Sequence, residues 1–267
     1  MDKTSLIGLI VGIIAVFVGM ILKGVNVTVL FNIPALLIIV LGTVGAVTIA
    51  FPTQDIKKVP KLFGILFKEN NSLNVETLIP LFVELSSLAR REGLLALESK
   101  VEEIDDPFLK NGLNLAVDGQ PHDFIRDVMT EEIEAMEDRH HTGASIFTQA
   151  GTYAPTLGVL GAVVGLIAAL ADMSDIDKLG HAISAAFVAT LFGIFTGYVL
   201  WHPFANKLKR KSKYEVNIRY LMIEGVMSIV EGQAPAVIER KLVSFLSISE
   251  REKVLERRDS QQGEADG

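Results

Sequence analysis

Four long stretches without a charged residue constrain this chain more than any other feature of its sequence. They cover residues 4–22, 24–54, 142–171 and 179–206. A helix needs about 20 mostly apolar residues to cross the hydrocarbon core of a bilayer. A soluble protein would distribute its apolar residues, 49% of this chain, over amphipathic elements instead. We therefore predict an integral membrane protein.

The predicted fold class is all-α, because no strand alternation is visible: a polytopic membrane protein with four transmembrane helices and a helical cytoplasmic domain. The spans are placed at residues 6–22, 34–51, 154–170 and 183–201. The first two form an N-terminal transmembrane hairpin over residues 1–51, and the last two form a pore-lining hairpin over residues 143–206. Residues 52–142 form the cytoplasmic domain. Residues 207–267 form a cytoplasmic C-terminal helix and a disordered tail, which covers residues 257–267.

Basic residues near the spans predict how the chain lies in the membrane. They follow the second and fourth spans, at Lys57, Lys58, Lys61, Lys207, Lys209, Arg210, Lys211 and Lys213. The connection between the third and fourth spans is acidic, with three aspartates and one lysine. Because cytoplasmic loops are enriched in Lys and Arg, we place the long loop and both termini in the cytoplasm. The single Lys3 before the first stretch is typical of a retained helix, not of a cleaved signal peptide.

The composition argues against several classes of function. Without cysteine the chain has neither a disulfide nor a thiolate metal site, and its net charge of −7 argues against general nucleic-acid binding. Glu137 with His140 and His141 is a weak metal-ligand pattern on a charged helix. His181 and His202 lie at the ends of the fourth span, where interfacial anchoring is expected. We predict that the protein is not an enzyme, with no catalytic residue, no metal ligand and no cofactor.

Small residues recur at helical spacing along the third and fourth spans. The third span has the pair Gly161 and Gly165, and on another face Gly158 follows Pro155. The fourth span has a stripe of small residues, made of Ala185, Ala189, Gly193 and Gly197. Such surfaces let membrane helices approach closely, so we predict that these two spans pack together.

Two prolines favour a further interpretation, in which the packed spans line an ion path. Pro155 near the start of the third span and Pro203 at the end of the fourth each leave a backbone carbonyl without its helical donor. Pro203 alone could simply end its helix. No Asp or Glu lies deep in any span, although ion pathways usually carry one. If the chain conducts ions, a partner subunit is therefore expected to supply the titrating carboxylate.

The cytoplasmic segment contains several helix start and stop signals. Asn74 can cap a helix, Gly93 breaks or bends it, and Asp106 followed by proline is typical of another helix start. A charged helix is predicted over residues 122–141. Residues 52–142 carry 18 acidic against 10 basic side chains. Most of this charge is expected to be solvated surface; the alternative is a docking face for another protein.

Several of these segments together resemble a known family. They are LARREGLLALE at 88–98, MTEEIEAMEDRH at 129–140, YAPTLGVLGAVVGLI at 153–167 and AFVATLFGIFTGYVLWHPFANKLKRKS at 186–212. Their order and spacing, after two closely spaced N-terminal spans, are similar to those of the MotA stator proteins of the bacterial flagellar motor. These belong to the MotA/TolQ/ExbB proton-channel family. The resemblance covers almost the whole chain, to about Gln233.

The resemblance implies a homo-oligomeric ring of five copies in the inner membrane, around a dimer of MotB. MotB supplies the ion-binding aspartate and anchors the unit to peptidoglycan, and ion passage turns the ring against the rotor protein FliG. On this basis Pro155 and Pro203 are mechanistic residues, and the Thr190 hydroxyl faces the partner's aspartate. The positions that contact the rotor fall on Arg90, Glu98 and Glu132.

The resemblance also bears on the coupling ion. Sodium-driven members carry a threonine seven residues after the third-span proline, where this chain has Ala162. Sodium needs several oxygen ligands, whereas a proton needs only an acceptor carboxylate, so a proton is expected. Thr156 is a spare hydroxyl, but it points about 100° away on an ideal helix.

Two other functions remain open. A TolQ- or ExbB-like energiser of envelope transport shares the last two spans, but those relatives usually have three spans. A membrane scaffold without ion flow leaves the two prolines unexplained.

Overall fold

The computed structural model describes residues 3–68, 75–171, 176–246, 248 and 251, and the regular structure among them is helical. The α-helices are α1 (Lys3–Leu22), α2 (Ile33–Ala50), α3 (Thr53–Ile56), α4 (Val59–Phe67), α5 (Val75–Glu92), α6 (Glu98–Glu102), α7 (Pro107–Val117), α8 (His122–Leu170), α9 (Ile176–Phe195), α10 (His202–Val230) and α11 (Pro235–Val243). A π-helical segment, Thr196–Trp201, joins α9 to α10, and short 3₁₀ helices lie at Val27–Leu30 and Leu94–Leu97. The predicted all-α fold is confirmed.

Within the described residues, four helices are long and apolar enough to cross a membrane. They are Lys3–Leu22, Val27–Ala50, His122–Leu170 and Ile176–Val230. Their apolar side chains remain exposed in the single chain: Ile167 is 64% exposed and Phe187 is 73% exposed. Extended apolar surface of this kind marks contact with lipid or protein. The four predicted transmembrane helices are confirmed.

The third and fourth spans belong to longer helices than the sequence predicts. The charged helix expected over residues 122–141 continues into the third span as α8, which has 49 residues. The helical run of the fourth span begins at Ile176 and reaches Val230. The helix continues because isolated glycines between the charged and apolar parts of α8 lower helix stability by only about 1 kcal/mol each. A helix ends where a cap or turn takes over its terminal hydrogen bonds.

Two of the predicted helix boundaries follow their local signals. Gly93 has a φ of +88°, a conformation that favours glycine, and it follows the last residue of α5. The Asp106 carboxylate accepts a hydrogen bond of 2.9 Å from the backbone N–H of Leu109, as an N-cap does. The predicted cap at Asn74 and the predicted disorder of residues 257–267 lie outside the described residues.

The chain divides into two compact units, and the first consists of residues 1–69 and 139–211. In it α2 packs on α8 and α9. A Cβ atom added at Gly42 would lie 3.1 Å from Leu157 Cδ1, and the Asn32 amide donates to the Ala185 carbonyl at 3.4 Å. The Asn32 side chain also accepts from the N–H of Ala35, so one residue caps α2 and ties it to α9.

An aromatic cluster holds the amphipathic helix α4 in the same unit. Its rings are Phe63, Phe67, Phe147, Trp201 and Phe204, with centroid separations from 5.2 to 6.4 Å. The exposed side of α4 carries Lys61, and Lys211 donates to the carbonyls of Ile65 and Lys68 at 2.7 and 2.6 Å. Because cations stabilise the carbonyl end of a helix, Lys211 favours this position of α4.

The second unit consists of residues 70–138 and 212–267 and has a core like that of a soluble domain. Side chains from α5, α7, α8, α10 and α11 are fully buried in it, among them Phe82, Leu113, Ile125, Met222 and Leu242. Two polar contacts accompany this core: the buried Ser86 hydroxyl donates to the Gln233 carbonyl at 2.9 Å, and Lys241 pairs with Glu224.

A small polar network joins the start of α8 to the end of α10 in this unit. His122 Nε2 lies 2.8 Å from Glu231 Oε1, and the Gln233 amide donates to Glu231 Oε2 at 2.6 Å. Partial burial raises the pKa of Glu231, but the hydrogen bonds from Gln233 and His122, together with the positive charges of Lys241 and His122, hold that pKa below its usual range. The network therefore favours the charged carboxylate.

The core of the second unit generates a stability prediction at Gly225. A Cβ atom there would lie 2.5 Å from Cε1 of the fully buried Phe82 ring. Overpacking of this kind costs about 1–3 kcal/mol, so Gly225→Ala should lower the melting temperature. Circular dichroism melting of the solubilised full chain measures it. Gly64→Ala is the control, since nothing lies within 4 Å of a Cβ there; equal melting of the two variants would contradict the predicted strain.

Candidate functional site

Three glycines bring the backbone of α8 against that of α9 and the π-helical segment. A Cβ atom added at Gly158 would lie 2.8 Å from the Ala189 carbonyl oxygen, and one added at Gly193 would lie 2.7 Å from the Ala154 oxygen. One added at Gly197 would lie 2.7 Å from Pro155 Cγ. No side chain larger than hydrogen fits at these positions without movement of the helices. The predicted close packing of the third and fourth spans is confirmed.

The crossing uses a different glycine from the pair that the sequence suggests. Gly161 is only in ordinary contact, with the Ala189 Cβ 3.6 Å from an added Cβ, and Gly165 has nothing within 4 Å. The closest approach is at Gly158, three residues after Pro155. The reason is geometric: two crossing helices are closest at one point, and spacing alone does not locate that point.

Pro155 lies inside α8, where its ring removes the hydrogen bond to the carbonyl of Gly151. That oxygen lies 2.8 Å from the position of a Cβ at Gly197, so a Cα hydrogen of Gly197 points toward it. A Cα–H···O contact is weak, but it compensates part of the missing bond. Beside the proline, the Thr156 hydroxyl donates to the carbonyls of Tyr153 and Thr152 at 2.7 and 3.2 Å.

Pro203 does not end its helix, since α10 continues to Val230. The π-helical turn just before it explains how the proline is accommodated. The backbone N–H of His202 donates to the carbonyl of Gly197, five residues earlier, which widens the turn. In a regular α-helix the ring of Pro203 would clash with the carbonyl four residues before it. The interpretation of Pro203 as a simple helix stop is therefore wrong.

Pro155 and the residue directly before Pro203 lie at the same crossing. Pro155 packs on Gly197, and the His202 ring packs over Gly151, with its carbons 2.8 to 2.9 Å from an added Cβ. Gly151 is one helical turn before Pro155, and His202 directly precedes Pro203. His202 also stacks near Tyr198, with ring centroids 5.3 Å apart. The His202 ring therefore packs against another helix, a contact that the prediction of an interfacial anchor did not include.

Thr190 and Ala162, the other two residues predicted for the ion path, are half-buried near this crossing. The Thr190 hydroxyl donates to the Ala186 carbonyl of its own helix at 3.2 Å, so its oxygen can still accept a hydrogen bond. Thr190 follows Ala189, whose carbonyl approaches Gly158, and Ala162 follows Gly161, which contacts Ala189. The residues around the crossing offer hydroxyl and carbonyl oxygens, but residues 142–171 and 179–206 contain no carboxylate.

The π-helical segment and the contact of His202 with Gly151 were missed from the sequence. A π-helical turn has no sequence signature of its own. It differs from an α-helical turn only in that its backbone hydrogen bond spans five residues instead of four. Gly151 carried a usable signal: it lies four residues before a proline, where the freed carbonyl must meet another group.

The residues predicted to contact a rotor lie in the second unit. Arg90 is in the last turn of α5 and Glu98 is the first residue of α6, both exposed, and Glu132 is half-buried in α8. Among the described residues none of these three has an ion-pair partner. Nearby Lys100 differs, because a hydrogen bond to Glu103 and the charges of Glu103 and Glu84 raise its pKa.

Comparison with known proteins matches this chain along its whole length. A family model described as the MotA/TolQ/ExbB proton channel family matches residues 100–220, and the motility protein A N-terminal model matches residues 6–93. Motility protein A of Bacillus subtilis strain 168 is 68% identical over 264 residues, which cover 99% of this chain and 98% of the relative. Chemotaxis protein PomA of Vibrio alginolyticus is 33% identical, with 94% and 98% covered.

Solved structures of similar proteins also match this chain. A chain of the flagellar MotAB stator complex from Bacillus subtilis superposes with a TM-score of 0.89 at 69% identity, covering 94% of this chain and 98% of that one. A chain of C. jejuni MotAB superposes with a TM-score of 0.88 at 33% identity, covering 93% and 97%. With sequence and fold similar over nearly every residue, the chain belongs to the MotA/TolQ/ExbB proton channel family.

Proposed function

We propose that this chain is a stator subunit of the bacterial flagellar motor that, with a MotB partner, couples ion flow across the inner membrane to torque. The observation that carries this function is the match of the whole chain, at 69% identity, to a chain of a MotAB stator complex. The match extends through both units, so it includes the cytoplasmic core as well as the spans.

The alternative, a TolQ- or ExbB-like energiser of envelope transport, is not favoured. Those proteins share the family model over residues 100–220, which covers the last two spans. The additional match over residues 6–93 is to the N-terminal region of motility protein A and includes the early hairpin. This hairpin distinguishes the chain from the TolQ and ExbB proteins.

The stator function requires an oligomer and a partner, and the surface of the chain supports both. α1 has no buried residue, and the apolar faces of the third and fourth spans are exposed. We assign these faces to lipid, to neighbouring copies in a ring of five, and to the transmembrane helices of MotB. The partner supplies the carboxylate that the spans lack. Both termini and residues 52–142 lie in the cytoplasm, where the rotor protein FliG is the target.

In the proposed mechanism the partner's carboxylate accepts a proton beside the crossing of α8 and α9. Thr190 presents an oxygen to it, and Ala162 offers none, which favours a proton over sodium as the coupling ion. Neutralising the carboxylate releases it from these dipoles, so that the ring can advance past it. Pro155, which leaves a carbonyl of α8 without its donor, and Pro203, which follows the π-helical turn, give the backbone at this surface its shape.

Charged residues on the second unit would then transmit torque from the ring to the rotor. Arg90 and Glu98 lie on either side of the turn at Gly93, on a fully folded core, so their positions are defined although their side chains are exposed. Because neither has an ion-pair partner among the described residues, both can pair with a rotor without breaking an internal bond. Glu132 adds a further acidic position.

Pro155→Ala tests the mechanistic proline. Alanine restores an N–H donor to the helix and removes the ring from Gly197, so rotation should fail or slow while insertion and co-purification of the partner persist. Swimming and tethered-cell rotation are the measurements, with membrane abundance measured in parallel. Pro80→Ala is a matched control, because Pro80 also lies inside a helix, α5, and is exposed. Normal rotation of Pro155→Ala would reject a mechanistic role.

Partner dependence is a second test. Because no span carries a carboxylate, vesicles that contain this chain alone should pass protons at the rate of empty vesicles, and the chain with MotB should pass more. A pH-sensitive dye in the vesicle lumen reports the flux. Conductance by the chain alone, equal to that of the complex, would contradict the proposal.

Charge reversal tests the rotor surface. Exposed ion pairs contribute about 0.2–1 kcal/mol each, so a single neutralisation should have little effect. Arg90→Glu combined with Glu98→Lys should impair swimming, and compensating reversals on the rotor should restore part of it. Asp118→Lys, an exposed reversal between α7 and α8, is the control. If the double variant swims normally at normal abundance, these charges are solvated surface only.

A further inference from the structure

A cleft of about 410 Å³ opens in the first unit between the start of α1 and the π-helical segment. Its polar groups are the Lys207 ammonium and the hydroxyls of Thr4 and Ser5, and its apolar wall includes Leu9 and Val199. α1 approaches closely just beyond the cleft, since a Cβ atom at Gly12 would lie 2.7 Å from Val199 Cγ1. This contact lies next to the apolar wall of the cleft, at Val199.

The cleft lies where the spans meet the aqueous phase. Lys3 and Lys207 bound the first and fourth charge-free stretches at this end. Tyr198, which is 65% exposed, and Trp201 lie within three helical turns of Lys207. Tyrosine, tryptophan and the ammonium groups of lysines concentrate at the level of the lipid headgroups. In the proposed orientation this level belongs to the cytoplasmic leaflet.

The polar end of the cleft fits an anion with several oxygen acceptors. Lys207 Nζ donates to Thr4 Oγ1 at 3.1 Å and also to Ser5 Oγ, so one ammonium and two hydroxyls converge. The Ser5 hydroxyl makes a long hydrogen bond, 3.4 Å, to the Leu66 carbonyl. None of the nine described residues that line the cleft is acidic. A phosphodiester only accepts hydrogen bonds; Lys207 supplies a positive charge to it, and the Ser5 hydroxyl proton would turn from its long bond with the Leu66 carbonyl to a phosphate oxygen.

We propose that this cleft binds an anionic phospholipid of the cytoplasmic leaflet. The phosphate accepts from Lys207 and the two hydroxyls, and an acyl chain follows Leu9 and Val199 toward the bilayer core. A soluble phosphate would use only the polar end, whereas the apolar wall suits the lipid. Because Pro203 is also part of the wall, the bound lipid contacts the helix next to the π-helical turn. Lipid composition would thereby influence the segment that packs on Pro155.

The test measures lipid retained by the full chain in nanodiscs of phosphatidylglycerol and phosphatidylcholine, by native mass spectrometry. Phosphatidylglycerol should be retained preferentially. Lys207→Gln should lower its retention about fivefold, the factor expected for one basic residue at an anionic surface. Lys207→Arg should keep most of it. Lys209→Gln is the matched control: it removes the same charge from an exposed position on the same helix outside the cleft.

Equal loss of lipid from Lys207→Gln and Lys209→Gln would overturn the proposal. Displacement of the lipid by inorganic phosphate would also overturn it, since the site would then take a soluble anion. A photo-crosslinker at Leu9 that joins two copies of the chain, not chain and lipid, would assign the cleft to a subunit contact instead. If Lys207→Gln melts at a lower temperature, Thr4→Ala with Ser5→Ala replaces it, with the same loss expected. Lipid retention is read without rotation, so a negative result leaves the stator proposal standing.

Discussion

The backbone contact of α8 with α9 and the π-helical segment is the interaction on which the membrane part of this chain depends. In lipid no hydrophobic effect drives apolar helices together, so their association depends on dispersion contacts and weak hydrogen bonds at short range. Gly158, Gly193 and Gly197 permit that range, because hydrogen replaces the side chain where each faces the opposite backbone. An alanine at any of these glycines would push the helices apart. The weak hydrogen bond that compensates for the missing N–H of Pro155 would then be lost as well.

Gly197 joins the two proline irregularities. Its Cα hydrogen points at the Gly151 carbonyl that Pro155 leaves without a donor, and its own carbonyl accepts the N–H of His202 in the widened turn before Pro203. Gly197 therefore compensates part of the hydrogen bond that Pro155 removes from the opposite helix, and within its own helical run it takes part in the turn that accommodates Pro203. Such compensation matters in a bilayer, where no water is present to satisfy a backbone carbonyl that has lost its helical donor.

The two units of the chain are both helical but differ in how much apolar surface they bury. The second unit buries Phe82, Met222 and Leu242 completely, whereas α1 buries no residue within the chain. The buried core of the second unit fixes the backbone that carries the exposed side chains of Arg90 and Glu98. The exposed apolar spans of the first unit require lipid, copies of the chain or a partner to complete them, and this need agrees with the assembly of a stator.

The sequence by itself determined the four spans, the all-α fold, the helix signals at Gly93 and Asp106, and the prolines as candidates. These features depend on local chemistry: the length of apolar runs, the φ preference of glycine, the missing N–H of proline. Only the tertiary structure decided which glycines touch, that α8 continues from the charged to the apolar part, and that a π-helical turn precedes Pro203. Those outcomes depend on where two helices cross and in which register, and spacing along one helix is compatible with several crossing points. The grouping of Thr4, Ser5 and Lys207 in one cleft is of the same kind, since about 200 residues of chain separate its polar groups and only packing brings them together.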